Sequence, residues 1–384
     1  MRISCSMSTH PPIRPTTLTA LRHAPQLSNG RTTRVFVAAL AFLLLGETAV
    51  RLRAWFRHGT SQTEPDIFRV DESGARRLDP RASFGGTARR VSINRWGFRG
   101  PDITLQKPEG VRRIVALGES TTFGLEARDD DSVWTAQLES LLNQHDRSVE
   151  WQVINAGIPG NTVGGCRRFL EQELLSFQPD IVLLLCAATD ISAHARLQYS
   201  YESSSVDEQN DRTGYDPGIL IRKHSLLWNL IRLNTAPLRD AISPSRQNRR
   251  LDDRGLARFD GELEELIRLC RRANTSAMLC TYPRSFGDPT APSPQWALAQ
   301  SALAANPLLG MGALNDAFDR SNEAIRAVAD SLTVPLVDLD RVVPRRATYF
   351  HDSIHFNDAG HALVAASLFE AVRDWKSGTL ASNR

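Results

Sequence analysis

The chain has 384 residues, of which 41% are hydrophobic and 23% are charged, so one large or two modest domains with a sizeable core are expected. Its formal net charge is +3, but residues 1–34 contain five arginines and no acidic residue. Without those five arginines the chain carries 41 basic and 43 acidic residues, which excludes the strongly basic surface typical of nucleic-acid-binding domains.

An uninterrupted apolar run covers residues 35–45 and continues more weakly to Val50. It predicts a hydrophobic signal-anchor helix over residues 35–52, preceded by a basic disordered tail over residues 1–34. No small-x-small cleavage motif follows, which favours an uncleaved anchor. A signal-peptide core, an organelle transit peptide and a buried core helix remain as alternatives. Arginines flank both ends of the run, so the orientation is only weakly specified.

Residues 53–110 are mixed and turn-rich, with "SINRWGFRGPD" near their end, and they predict a small irregular pre-domain of short strands. From residue 111 strands and helices alternate with short connections. The strands are predicted at "RRIVALG", "WQVINAG", "PDIVLLLCAA", "SAMLCTYP" and "VPLVDL". The helices are predicted at "DSVWTAQLESLLNQ", "CRRFLEQELLSF", "DGELEELIRLCRRAN", "NDAFDRSNEAIRAVADSL" and "DAGHALVAASLFEAVRDW", the last capped by Asp358. This alternation predicts a five-stranded parallel sheet covered by helices on both faces.

One long polar stretch, residues 191–256, interrupts the alternation. Connections of this length are usually functional or disordered. Because the stretch follows the third strand, we expect it to contribute to a substrate pocket, with "SLLWNLIRL" as a short amphipathic helix.

Four polar stretches follow the carboxyl ends of predicted strands: "GESTTFG", "NAGIPGNT", "CAATD" and "HDSIHFNDAGH". In a doubly wound sheet they meet at one edge, where such folds bind their ligands. Ser120 is the candidate nucleophile, and Asp352 and His355 are three residues apart, so the carboxylate can orient the imidazole that takes the serine proton. The amides of Ser120 and Gly160 are candidate oxyanion donors.

These stretches resemble the blocks of the SGNH (GDSL-type) hydrolase family. "GESTTFG" is similar to the family's Gly-Asp-Ser block, with Glu119 where Asp is usual, and Glu119 is expected to bond loop backbone behind the serine. In "NAGIPGNT" the family's oxyanion glycine falls on Gly160, and "DSIH" matches its Asp-x-x-His. The resemblance implies a flavodoxin-like three-layer α/β/α hydrolase domain over residues 111–378. The upstream "NRWGFRGPD" resembles membrane-anchored bacterial members.

The resemblance implies a serine esterase without a cofactor that cleaves an O-acyl ester, with a small molecule, glycan or lipid ester as substrate. The catalytic residues are then Ser120, His355 and Asp352. An anchor over residues 35–52 implies a membrane-bound protein whose catalytic domain is extracytoplasmic, in the periplasm or cell envelope.

The third block departs from the family pattern. It is normally Gly-x-Asn-Asp, whereas "AATD" sets Thr189 where the Asn supplies an oxyanion donor. A threonine hydroxyl is a shorter donor, and losing one donor costs about 10²–10³ in rate. A cell-envelope O-acyltransferase that uses the same serine and a degenerate glycan- or lipid-binding domain are therefore alternatives to an esterase.

Other chemistries are less well supported by the spacing of the residues. The α/β-hydrolase elbow G-x-S-x-G requires a second glycine where Thr122 stands. The histidines and acids around position 355 lack the H-E-x-x-H pattern of metalloproteases, so no metal is expected. The five cysteines show no C-x-x-C spacing, and Cys186 and Cys280 lie in apolar runs typical of buried side chains.

Overall fold

The computed structural model describes residues 29–58, 67–70, 76–85, 90–204, 250–288 and 294–376, with isolated positions between 225 and 231 and at 290. The chain divides into two compact units, residues 1–46 and 47–384. Helix α1 (Asn29–His58) contains a 21-residue apolar segment, Thr33–Arg53, with a mean hydropathy of 2.0. Its length and composition suffice to cross a membrane, since a span needs about 20 apolar residues. The expected amino-terminal hydrophobic helix is confirmed, and most of the expected basic tail lies outside the described residues.

Two antiparallel strand pairs precede the main sheet. Strand β1 (Phe68–Val70) pairs with β2 (Arg76–Leu78), and β3 (Ser83–Gly85) pairs with β4 (Arg90–Ser92). The turn that follows is closed by Asn94, whose side-chain oxygen accepts hydrogen bonds from two backbone amides, 2.9 and 3.0 Å away. Each strand has three residues, so these pairs depend on packing against the larger domain for their stability.

The main sheet has five parallel strands in the order β6-β5-β7-β8-β9. They are β5 (Val111–Gly118), β6 (Glu150–Gly157), β7 (Ile181–Leu185), β8 (Ser276–Cys280) and β9 (Leu336–Val337). All five residues of β7 are buried, as expected for a strand covered on both faces. Strand β5 is flanked by β6 and β7, so the chain reverses its direction of winding beside the carboxyl end of β5.

Helices cover both faces of the sheet. In chain order they are α2 (Ser120–Phe123), α3 (Trp134–His145), α4 (Val163–Gln172), α5 (Ala188–Ser204), α6 (Asp253–Arg272), α7 (Gln295–Leu298), α8 (Gln300–Ala305), α9 (Met311–Ser331), α10 (Leu339–Val342) and α11 (Asp358–Lys376). Helices α3 and α11 pack against each other in one layer, and α4, α6 and α9 pack together in another. The expected flavodoxin-like three-layer α/β/α fold is confirmed.

Three boundaries differ from the sequence expectations. Helix α6 begins earlier, because the side chain of Asp252 accepts a hydrogen bond from the Gly255 amide and caps it. Asn357, and not Asp358, caps α11, since its side-chain oxygen accepts from the Gly360 amide at 3.0 Å. Strand β9 has only two residues, and the carboxylate of Asp338 just after it pairs with Arg326.

The long stretch over residues 191–256 is partly described. Its first part is helical, because α5 continues to Ser204. Its two ends are tied together by His194 and Asp252, whose side chains are 2.8 Å apart, and by Gln198, which accepts from the Asp252 amide at 3.0 Å. Most of "SLLWNLIRL" and of the remaining connection lies outside the described residues.

Candidate active site

Ser120 lies just beyond the carboxyl end of strand β5, which is flanked by β6 and β7, as the first residue of the short helix α2. The preceding strand ends at Gly118, which packs so closely that a Cβ there would lie 2.2 Å from the Leu185 carbonyl oxygen and from the Thr122 hydroxyl. Helix α2 ends at Gly124, which has a left-handed backbone conformation with a φ of 79°. The serine is 8% exposed, so it is nearly enclosed but reachable from the sheet edge.

Asp352 and His355 lie in one tight turn before helix α11. One carboxylate oxygen of Asp352 accepts hydrogen bonds from the amides of Ile354 and His355, each at 2.9 Å. The other carboxylate oxygen lies 2.8 Å from Nδ1 of His355. The second ring nitrogen, Nε2, lies 2.7 Å from Oγ of Ser120. The hydroxyl, the imidazole and the carboxylate therefore form one continuous chain of hydrogen bonds.

The ionisation state of Asp352 fixes the roles of the two ring nitrogens. Burial by itself raises the pKa of Asp352, but the hydrogen bonds from the His355 ring and from two amides outweigh it and lower that pKa to about 2. The ionised carboxylate accepts a hydrogen bond from the Nδ1–H group, so Nε2 carries no proton and can accept a hydrogen bond from the Ser120 hydroxyl. This is the arrangement that a general base needs in order to activate a serine.

Glu119 is buried behind the serine and binds the loop after β7. Its carboxylate accepts hydrogen bonds from the amides of Ala187, Ala188 and Thr189 at 3.1, 2.8 and 2.9 Å. It also accepts a hydrogen bond from the Thr189 hydroxyl. Burial raises the pKa of Glu119, although these four hydrogen bonds oppose the rise. The expectation that Glu119 bonds loop backbone is confirmed.

The structure does not direct the Thr189 hydroxyl toward Ser120. A hydroxyl has one proton to donate, and that of Thr189 is donated to Glu119. Of the three expected oxyanion groups, the backbone amides of Ser120 and Gly160 remain. Within the described part of the chain, neither of these amides donates to another protein group.

Gly160 lies in the turn after β6 with a φ of 80°, a conformation that favours glycine. A Cβ at this position would lie 3.4 Å from a guanidinium nitrogen of Arg76, so strand β2 reaches the same loop. The Arg76 guanidinium stacks on the ring of Phe68, 3.6 Å from its centroid. Gly157, at the end of β6, allows the close approach of α2, because a Cβ there would lie 2.3 Å from the Phe123 amide nitrogen.

Asn155 was not identified from the sequence as a site residue, although it contacts the serine-bearing turn. Its side-chain nitrogen donates to the Thr122 carbonyl at 2.9 Å, and its oxygen accepts from the Gly157 amide at 3.1 Å. It thereby joins the end of β6 to α2. A buried amide side chain within an apolar strand was the available signal, since buried polar groups need partners.

A second, partly buried acid lies beside Glu119. Asp190 accepts from the Val163 amide at 3.1 Å, and the Cys186 thiol lies 3.6 Å from the same carboxylate. Burial and the nearby charge of Glu119 raise the pKa of Asp190 to about 7. Cys186 is buried, as is Cys280, whose pKa burial raises to about 12, so these thiols are poorly reactive.

The histidines near position 355 have separate partners. His351 lies 3.2 Å from the Glu126 carboxylate. His361 is buried, accepts from the Trp134 amide at 3.4 Å, and has a pKa lowered to about 3 by burial. Among the described residues no group of three or more His, Cys, Asp or Glu side chains is arranged to hold a metal ion.

A doubly wound sheet with a hydroxyl, an imidazole and a carboxylate joined at its carboxyl edge is an arrangement typical of serine hydrolases. The family model for the GDSL-like lipase/acylhydrolase family matches residues 116–363, more than half of the chain, and the chain therefore belongs to that family. By this membership it is a hydrolase of carboxylic esters.

Several solved structures are similar to this chain. They include an acetyl xylan esterase, AlAXEase, with 18% identity and a TM-score of 0.42 over 68% of this chain and 99% of that one. The acetylxylan esterase Axe2 from Geobacillus stearothermophilus has 16% identity and a TM-score of 0.42 over 68% and 94%. LAE5, an alpha/beta hydrolase from the metagenome of Lake Arreo, has 16% identity and a TM-score of 0.40 over 68% and 95%. No curated protein matches the chain.

Proposed function

We propose that this protein is a serine esterase that cleaves O-acyl esters, O-acetyl groups on glycans included, through Ser120, His355 and Asp352. The observation that carries the proposal is the chain of two short contacts, 2.7 Å from Ser120 to His355 and 2.8 Å from His355 to Asp352. Such contacts let the imidazole take the hydroxyl proton as the serine attacks a carbonyl carbon.

The reaction divides into acylation and deacylation. The Ser120 oxygen attacks the acyl carbonyl while Nε2 of His355 takes its proton, and the tetrahedral intermediate collapses as His355 returns that proton to the departing alcohol. A water molecule, deprotonated by the same nitrogen, then releases the acid and restores the serine. The Asp352 carboxylate orients the imidazole and stabilises its charged form in both halves.

The developing oxyanion is stabilised by the amides of Ser120 and Gly160. The Thr189 hydroxyl donates its hydrogen bond to Glu119, so the proposed oxyanion hole has two donors instead of three. One missing donor lowers the rate by about 10²–10³, so we expect a modest kcat.

Labelling with a fluorophosphonate tests the nucleophile, and turnover of 4-nitrophenyl acetate tests the reaction. The wild-type protein should be labelled at Ser120 and should hydrolyse the ester, and Ser120→Ala should lose both properties. Ser321→Ala is the matched control, because it removes a buried hydroxyl inside helix α9. Equal turnover by Ser120→Ala and the wild-type protein would remove Ser120 from the mechanism.

The acyl group on the serine can also be transferred to a sugar hydroxyl. The observation that favours this second function is the bond from the Thr189 hydroxyl to Glu119, which leaves the proposed oxyanion hole with two donors. Product analysis with an added carbohydrate acceptor separates the two activities. Release of free acid at an unchanged rate supports the esterase, whereas an acylated sugar supports an O-acyltransferase. A protein that is neither labelled nor active would be a glycan- or lipid-binding member of the family.

We also propose that residues 35–52 anchor the protein in a membrane with the catalytic domain outside the cytoplasm. The apolar segment Thr33–Arg53 supports the anchor by its length and hydropathy. Alkaline carbonate extraction should leave the protein in the membrane fraction. Protease added to intact spheroplasts should digest the catalytic domain, and protection of that domain would contradict the orientation.

A further inference from the structure

The turn that contains Asp352 and His355 has a third polar residue, Ser353, whose hydroxyl is bonded to residues outside the turn. Ser353 is 1% exposed and lies between the two residues of the proposed relay. The turn is closed internally by the two amides that donate to Asp352 and by the His351 amide, which donates to the His355 carbonyl at 2.8 Å. These bonds fix the shape of the turn but not its distance from β5.

Ser353 attaches this turn to the segment that follows strand β8. Its hydroxyl lies 2.8 Å from the hydroxyl of Ser301 and accepts from the Ala302 amide at 3.1 Å. Its own amide donates to the Ser301 hydroxyl at 3.1 Å. Its carbonyl oxygen accepts from the Ser285 amide at 2.9 Å and from the Ser285 hydroxyl at 3.2 Å.

Every polar group of Ser353 is therefore bonded to residues distant in the sequence. Ser285 lies in the segment after β8, and Ser301 and Ala302 belong to helix α8. Helix α7, which precedes α8, also approaches this segment, because its Leu298 carbonyl oxygen lies 3.2 Å from the Ser285 hydroxyl, which has one proton to share between this oxygen and that of Ser353. The contacts join the turn to the segment that follows a strand of the same sheet that carries the nucleophile.

We propose that Ser353 is a positioning residue, which holds the Asp352–His355 turn against the β8 segment so that the imidazole stays within bonding distance of Ser120. This inference rests on the proposed function of the relay. A displacement of about 1 Å between catalytic groups can lower a rate about 100-fold, so the position of the turn matters as much as its shape. The hydrogen bonds of Ser353 go to Ser301, Ala302 and Ser285 and not to Ser120, so Ser353 acts through its neighbours.

The test compares Ser353→Ala, Ser301→Ala and the double variant of the full chain in detergent micelles, with Ser321→Ala as the control. Ser321 is also a buried serine, and its hydroxyl donates to the Ala317 carbonyl at 2.8 Å within α9. For Ser353→Ala we expect kcat for 4-nitrophenyl acetate to fall 10- to 100-fold while KM changes by less than about twofold. The double variant should lose less than the product of the two single losses, because the two hydroxyls share one contact.

A second readout does not depend on turnover. The Nδ1 proton of an imidazole bonded to a carboxylate gives a far-downfield proton NMR resonance, which should move or broaden in Ser353→Ala and Ser301→Ala and stay unchanged in Ser321→Ala. An unmoved resonance together with a kcat within twofold of wild type would overturn the proposal. An equal loss in Ser321→Ala would also overturn it, since the effect would then be general destabilisation.

The two proposals fail in distinguishable ways. A wild-type protein that resists fluorophosphonate labelling and hydrolyses no ester contradicts the proposed function. The NMR comparison still decides whether Ser353 positions His355 in that case. Labelling of Ser120 at the wild-type rate in Ser353→Ala would contradict the positioning role and leave the proposed function intact.

Discussion

The hydrogen bonds between Thr189 and Glu119 determine the role of Thr189, the residue that stands where the family has an oxyanion-binding Asn. The Thr189 hydroxyl and amide both donate to the buried Glu119 carboxylate, which also receives two further amides of the same loop. A hydrogen bond to a charged group contributes about 1.5–3 kcal/mol to stability. At the scale of the single residue, Thr189 is therefore a structural partner of Glu119.

Replacing Thr189 with valine tests this assignment, because valine keeps the shape of the side chain and removes the hydroxyl. We expect Thr189→Val to lower the free energy of unfolding by about 1.5–3 kcal/mol, since Glu119 loses one hydrogen bond. We expect kcat to fall by less than about tenfold, whereas loss of an oxyanion donor costs about 10²–10³. Denaturant unfolding and ester turnover measure the two effects.

The opposite result would indicate that Thr189 is an oxyanion donor. Unchanged stability combined with a 100-fold loss of kcat would show that the hydroxyl serves the transition state. Thr104→Val is a control for the substitution itself, at an exposed position in the segment before β5.

The contacts among Ser120, His355 and Asp352 were predictable, because Asp352 and His355 share one turn and Ser120 follows a strand whose carboxyl end lies at the same sheet edge. The partners of Ser353 were not predictable, because Ser301 is 52 residues away and Ser285 is 68 residues away. Nothing local in the sequence distinguishes those serines from turn residues. The contact between Arg76 and the Gly160 loop was hidden for the same reason.

At the scale of elements, the junction between β5 and α2 depends on the close approach of neighbouring strands. A Cβ at Gly118 would lie 2.2 Å from the Leu185 carbonyl oxygen of β7 and 2.2 Å from the Thr122 hydroxyl. The backbone oxygen cannot move without shifting β7. The glycine before the serine-bearing turn is thus needed for packing and not for an unusual backbone angle.

Gly118→Ala should therefore lower the free energy of unfolding by about 1–3 kcal/mol, as expected for overpacking in a close-packed interior. It should also lower kcat, because the displaced strand carries Ser120 away from His355. Gly261→Ala is the matched control, because Gly261 lies in helix α6 with no atom within 4 Å of an added Cβ. That substitution should raise stability by up to about 1 kcal/mol. Equal unfolding midpoints for the two variants would contradict the packing argument.

The alternation of strands and helices was predictable because β5 and β7 are apolar runs buried on both faces. Element ends were less predictable, since they depend on side chains outside the repeating pattern. Asp252 caps α6 and Asn357 caps α11 through side-chain hydrogen bonds. Other polar residues nearby are equally suitable caps by residue type, so the sequence does not single out these two. The antiparallel pairs of β1 to β4 are too short for a periodic signal.

At the scale of the whole molecule, several acidic groups lie at the carboxyl edge of the sheet, beside Ser120 and His355. Glu119 and Asp190 are close enough for the charge of one to raise the pKa of the other. Asp352 lies at the same edge with its pKa lowered to about 2. The edge therefore contains carboxylates whose environments shift their pKa values in opposite directions, an arrangement common at functional sites.

Asp190 makes the stability of the folded protein depend on pH. Its folded-state pKa is raised from 3.8 to about 7, mainly by burial and then by the charge of Glu119. A carboxyl with a raised folded-state pKa contributes its full stability below the unfolded value, and this contribution is lost as the pH rises through the folded value. The protein should therefore lose stability between about pH 4 and pH 7 through this group.

Asp190→Asn removes the titration and keeps an oxygen that can accept from the Val163 amide. The rise in the pKa of Asp190 from 3.8 to about 7 corresponds to about 4 kcal/mol of folding stability. Partial exposure of the carboxylate to solvent reduces this effect to about 1–3 kcal/mol. The stability of the variant relative to wild type should rise by that amount between pH 4 and pH 8, as measured by denaturant unfolding at each pH. Asp131→Asn, at an exposed position before helix α3, should leave the curve unchanged. Parallel curves for wild type and Asp190→Asn would show that Asp190 is ionised across this range and that its carboxylate is stabilised by the amide and thiol beside it.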